Sequence, residues 1–105
     1  MTNTEGKIRE FTDLNSWKEA HKLVLIIYKL TREFPKEEIF GLTSQIYRSS
    51  VSIPSNIAEG CGRRFINFAL GSSGLEYQLI LSKDLGYMNE KIYDELNQNT
   101  IEIKR

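Results

Sequence analysis

A single cysteine, Cys61, leaves nothing with which to close an intrachain disulfide and excludes a cysteine-rich metal site. A single histidine, His21, is too few for a di-iron carboxylate bundle, which needs its Glu-x-x-His motif twice. One of each makes no closed zinc site. A Cys-His dyad would need a third residue to orient the base, and the spacing supplies none. Charge of one sign is also missing. Fourteen basic residues balance 14 acidic ones, so no global field draws in nucleic acid or an anionic membrane, and any polyanion surface has to be local. No apolar run nears the ~18 residues of a membrane span, and the N-terminus lacks the basic-then-apolar pattern of an export signal. A cytoplasmic protein with no membrane role is expected, and an unpaired cysteine fits a reducing compartment. Period-two alternation is absent, which leaves no strand reading to compete with helices.

The 105 residues present have the size of one domain. A chain of this length buries roughly 65% of the surface that its unfolded form exposes, enough for one core. The polar residues 1–10 are expected to form a disordered tail, and residues 11–105 a single domain.

The pattern is all-α. Helix 1 is expected to start at Thr12 or Asp13, both good caps, and to stop before Pro35. Leu14, Trp17, His21, Val24, Tyr28 and Thr31 follow a three-four spacing, and Ala20, Leu23, Ile27, Leu30 and Phe34 widen that stripe. Helix 2 begins between Leu42 and Ser44 and buries Leu42, Ile46, Ile53 and Ile57, with Ser49 and Ser50 between them. Pro54 inside it removes a backbone donor and predicts a kink or a split, with nearby serines to satisfy freed carbonyls. Gly60 and Gly62 read as its stop. Helix 3 is expected from Arg64 to Leu85. Its Gly71-x-x-Gly74 segment has the composition of a phosphate loop but neither the Gly-Lys-Ser/Thr ending nor a preceding strand, so it reads as a close helix contact. Helix 4 covers Asn89 to Ile103, with Ile92, Leu96 and Ile103 as its apolar points.

Five blocks stand out in order. They are Phe11-x-Asp13-Leu14-x-x-Trp17, Phe34-Pro35-x-Glu37, Gly41-Leu42-Thr43-Ser44-Gln45-Ile46, Ser52-Ile53-Pro54-Ser55-Asn56-Ile57-Ala58-Glu59-Gly60, and the run from Ala69 through Gly71 and Gly74 to Leu79. Together they resemble the four-helix bundle proteins encoded in intervening sequences of bacterial large-subunit ribosomal RNA genes. That group includes the accessory variability protein of diversity-generating retroelements. The likeness covers Phe11 to about Leu96. It implies an antiparallel up-down four-helix bundle, kinked here at Pro54, and a homo-oligomer, typically a ring-like pentamer. The retroelement members bind nucleic acid and a reverse transcriptase through a strongly basic surface. This chain departs from that pattern in its neutral charge, in a shorter stretch between Arg64 and Phe68, and in a last helix that ends early at Arg105.

Two sets of residues are candidates for a site. Gln45, Arg48, Asn56, Glu59 and Glu76 fall in the matching blocks and read as a partly buried structural polar network, in which Arg48 pairs with Glu59 or Glu76. Glu59 and Glu76 have the chemistry for acid-base work, but no nucleophile, metal pair or phosphate loop accompanies them. Lys18, Lys22, Lys29 and Arg32 fall within about 80° on helix 1, with Leu25 in the same stripe, and Arg63 and Arg64 add charge near helix 3. His21, on the apolar arc, is read as a core or interface residue.

The function expected is that of a non-enzymatic homo-oligomeric scaffold or binding module with no cofactor and no small-molecule substrate. Apolar residues spread over too much of helices 1 and 3 for a lone bundle, and identical neighbours are the usual cover. Whether Trp17, Tyr28 and Phe68 face outward separates this reading from a self-contained bundle. The alternative is RNA or DNA binding through the helix 1 stripe and Arg63-Arg64.

Overall fold

A computed structural model describes residues 14–60, Asn67, Leu70, Gly71 and 74–104. Every regular element among them is helical. α1 spans Asn15–Thr31, a 3₁₀ turn covers Lys36–Glu38, α2 spans Leu42–Ala58, α3 Leu75–Asp84 and α4 Glu90–Lys104. Asn67, Leu70 and Gly71 are also helical. The fold class is therefore all-α, as the sequence pattern implies.

α1 buries Ala20, Leu23, Ile27 and Leu30, the three-four stripe that a helix needs to meet a core. The other half of its broad apolar arc faces outward, with His21 and Tyr28 exposed and Leu14 at the boundary. Of the two readings of His21, core or interface, its exposure removes the first. Its ring stacks on Trp17 at 4.8 Å, so the imidazole shields a half-buried indole from the outside. Leu14 takes the N-cap position in extended conformation, with no side-chain cap; Thr12 and Asp13 lie outside the described residues. The helix unwinds before Pro35, where the Glu33 and Phe34 amides bond to Leu30 and Thr31 carbonyls with three-residue spacing.

α2 is one continuous helix through Pro54, so the proline does not split it. Its buried line is Leu42, Ile46, Ser50, Ile53 and Ile57. Ser50 is fully buried in that line, and its hydroxyl donates to the Tyr47 carbonyl at 2.9 Å. Polar side chains bond back to the backbone on either side of the proline. The Ser52 hydroxyl reaches Ser49 O at 2.7 Å, Ser55 reaches Val51 O at 2.9 Å, and the Asn56 amide reaches Ser52 O at 2.8 Å. These bonds go to carbonyls flanking that of Ser50, the one that Pro54 deprives of its backbone donor. Gly60 follows the last turn at φ 85°, the left-handed stop expected there; Gly62 lies outside the described residues.

The long helix 3 read from the sequence does not form as one piece. Gly74 adopts φ 83°, a left-handed conformation that no helix carries through, and α3 starts directly after it. Gly71 has nothing within 4 Å of where a Cβ would stand, so no backbone crowds it. The glycine pair therefore marks a break, and the expected close helix contact is absent at Gly71. Leu75, Leu79 and Ser82 form the buried face of α3, while Tyr77 and Ile80 are exposed. Phe65, Ile66, Phe68 and Ala69 lie outside the described residues. α4 opens with the Asn89 carboxamide accepting the Ile92 amide at 2.8 Å, a side-chain cap. It buries Leu96, Asn99, Thr100 and Ile103.

Among the described residues α1 packs against α2 and α4, and α3 packs against the same two helices, with no contact across either diagonal. Paired ends fix two of the directions. Asn99 in the last turns of α4 bonds Glu19 near the start of α1 at 2.9 Å, while Tyr87, just before α4, packs on Phe34 beyond the end of α1. Lys104 likewise reaches back to Glu76, and Lys83 forward to Glu90. Both pairs of helices run in opposite directions. The aliphatic side chains of all four meet along the centre.

Candidate interaction surfaces

The first candidate set is dispersed. Gln45 and Arg48 lie on an outer face of α2 and, with Ser49, Ser52 and Gln78, line a shallow groove of about 380 Å³ between α2 and α3. Asn56 spends its amide on the Ser52 carbonyl within its own helix. Glu59 is exposed just past α2, and Glu76 is held by the Lys104 ammonium at 3.1 Å. Arg48 is exposed and pairs with neither carboxylate. The expected buried Arg-carboxylate fork is therefore corrected. The cation that takes Glu76 comes from α4, a helix whose register against α3 the sequence does not display. Among the described residues no three His, Cys, Asp or Glu side chains converge on a common point.

The basic stripe is intact on α1. Lys18, Lys22, Lys29 and Arg32 are all exposed, and Leu25 among them is 51% exposed. Among the described residues the ion pairs are Lys83–Glu90 and Lys104–Glu76, so these four cations are not neutralised by carboxylates. The Arg32 guanidinium lies 5.8 Å over the Tyr28 ring. Arg63 and Arg64 lie outside the described residues, as does Cys61.

The connector between α1 and α2 carries features of its own. Phe40 is 96% exposed. Beside it a groove of about 460 Å³ is lined by Tyr28, Thr31, Arg32, Ile39, Thr43 and Tyr47, among others. The Tyr28 and Tyr47 rings stand 5.8 Å apart in its wall. The Glu38 carboxylate holds the connector in place, accepting the Leu42 amide at 3.2 Å with one oxygen and the Tyr87 hydroxyl at 2.9 Å with the other. That hydrogen bond, followed by burial and then the charges of Glu38 and Glu37, raises the Tyr87 phenol above its ordinary 10.0. A signal for Phe40 was present: an aromatic residue in a connector too short to build a core of its own.

Among the described residues no helix is long and apolar enough to cross a membrane. Helices packed in cyclic order around an aliphatic centre, with shallow grooves and exposed stripes outside, define a small helical-bundle protein. Residues 12–105 match the family described as 23S rRNA-intervening sequence protein, and the chain belongs to that family. No protein of curated function matches it.

Proposed function

We propose that this chain is a non-enzymatic helical-bundle protein of the cytoplasm that assembles with copies of itself and serves as a scaffold or binding module. One observation carries the reading: large apolar side chains stand exposed on separate elements, including Leu25 and Tyr28 on α1, Phe40 on the connector, and Tyr77 and Ile80 on α3. Tyr28, Ile39 and Tyr47 line one groove, with exposed Phe40 next to Ile39 in the chain; a contiguous apolar patch marks a surface for a partner, and a closed arrangement of identical copies is the commonest cover. Of the three aromatic residues whose placement bears on self-assembly, Tyr28 faces outward, Trp17 is half-buried and Phe68 lies outside the described residues. A ring of five copies is the assembly that the resemblance implies. Light scattering coupled to size exclusion tests it against the 12.2 kDa of one chain. A mass near five times that value supports the ring, and a monomer at every concentration refutes self-assembly.

A second reading is favoured by the unneutralised Lys18, Lys22, Lys29 and Arg32 stripe. Repeated around an assembly, it would offer an array of cations to the phosphates of RNA or DNA. The salt dependence of binding to a single-stranded RNA decides it.

A further inference from the structure

An exposed aromatic side chain, Phe40, and an aromatic groove lined by its neighbour Ile39 lie on one chain. The connector that carries Phe40 is fixed before any partner arrives. Its backbone closes on itself through the Glu38 amide to Pro35 O at 2.9 Å, the Ile39 amide to Lys36 O at 3.1 Å and the Gly41 amide to Glu38 O at 3.0 Å. Both Glu38 carboxylate oxygens are engaged as well. A side chain presented on so ordered a tip loses little further freedom on docking. The tip is apolar and acidic, with Phe40 beside exposed Glu37. The groove is aromatic and basic, with Tyr28 and Tyr47 in its wall and Arg32 at its rim.

We propose that Phe40 of one copy docks into the Tyr28–Tyr47 groove of a second copy, with Glu37 of the first facing Arg32 of the second. The occupant is another copy because the chemistry matches on both sides: an acid and a ring sit on the tip, a cation and a ring pair on the groove. A knob and a hole on different parts of one molecule join identical chains head to tail, into a ring where the rotation between neighbours closes. This rests on the reading of the protein as a homo-oligomer and names the surface through which it forms.

The test is light scattering on the wild type, Phe40→Glu, Arg32→Glu, Glu37→Arg and the Arg32→Glu/Glu37→Arg double variant, with circular dichroism to follow helicity. The expected result is an assembled wild type, a Phe40→Glu variant that runs at the 12.2 kDa of one chain with unchanged helicity, and a double variant that regains mass lost in either single charge change. Phe40 and Arg32 are both exposed, so these changes remove no core packing. If the wild type assembles and Phe40→Glu assembles equally well, the docking is wrong while self-assembly stands. If the wild type is a monomer throughout, self-assembly itself fails and the docking with it.

Discussion

The Tyr87 hydroxyl donates to the Glu38 carboxylate at 2.9 Å, joining the turn before α4 to the connector after α1 across 49 residues of sequence. The rings of Phe34 and Tyr87 meet beside it, 5.0 Å apart. One end of the bundle is thus closed by an aromatic pair with a hydrogen bond on top.

This contact predicts a pH signature. The protonated phenol is the form that donates, and folding raises its hold on that proton. Its contribution to stability is whole below the ordinary value of 10.0 and is lost as pH climbs through the raised folded value. Thermal melts at pH 8 and well above 10 should show a steeper alkaline loss in the wild type than in Tyr87→Phe. Tyr87→Phe should also melt lower at neutral pH. Parallel alkaline slopes in the two proteins would remove Tyr87 as the cause.

The core makes a second prediction. Ile46 and Leu79 are fully buried on α2 and α3, helices that pack directly on one another. Truncating either to alanine should destabilise the fold by about 2–5 kcal/mol, transfer and cavity terms together. The same change at exposed Leu25 should stay within about 0.5 kcal/mol. Urea titration followed by circular dichroism compares the three. A Leu25→Ala loss as large as that of Ile46→Ala would mean that Leu25 is covered in solution.

The contrast between α2 and α3 shows what the sequence displays and what it hides. Leu42, Ile46, Ile53 and Ile57 are spaced at helical intervals, and their burial follows from that spacing alone. The break at Gly74 was not legible. Glycine is tolerated inside helices and also ends them, and only the backbone angle separates the two cases. The polar residues were harder still. Gln45, Arg48 and Glu76 were grouped by sequence blocks, but an ion pair is set by which helix lies opposite. Lys104 lies opposite Glu76, at a separation of 28 residues. Exposure of His21 and Tyr28 was masked because α1 is apolar over more of its circumference than its core contact uses. That surplus is itself the feature from which self-assembly is proposed.

The glycine pair supplies a third prediction, which tests the break directly. Gly74→Ala places a side chain at φ 83°, with its Cβ 3.3 Å from the Gln78 amide nitrogen. The left-handed strain costs about 1–2 kcal/mol. Gly71→Ala meets nothing within 4 Å at a helical position, so the chain gains about 0.4–1 kcal/mol from a stiffer unfolded state and better helix propensity. The two substitutions, three residues apart, should therefore move the melting temperature in opposite directions. Equal destabilisation by both would return Gly71 to the close helix contact read from the sequence.

The basic stripe carries the last prediction. Lys22 and Lys29 are exposed on α1 and have no carboxylate partner among the described residues. If they contact phosphates, single-stranded RNA binding weakens with salt by about 0.7 in log K per log salt for each contact. Lys22→Glu/Lys29→Glu should abolish binding at moderate salt and flatten that slope, because two attractive contacts become repulsive. Fluorescence anisotropy of a labelled oligonucleotide across a salt series measures both quantities. The swap leaves the core untouched, so helicity and assembled mass should not change. Binding that keeps its affinity and slope after the swap would place the polyanion surface elsewhere or remove it. No binding by the wild type at low salt would leave the stripe as a solvated helix face, which is what a chain of zero net charge presents by default.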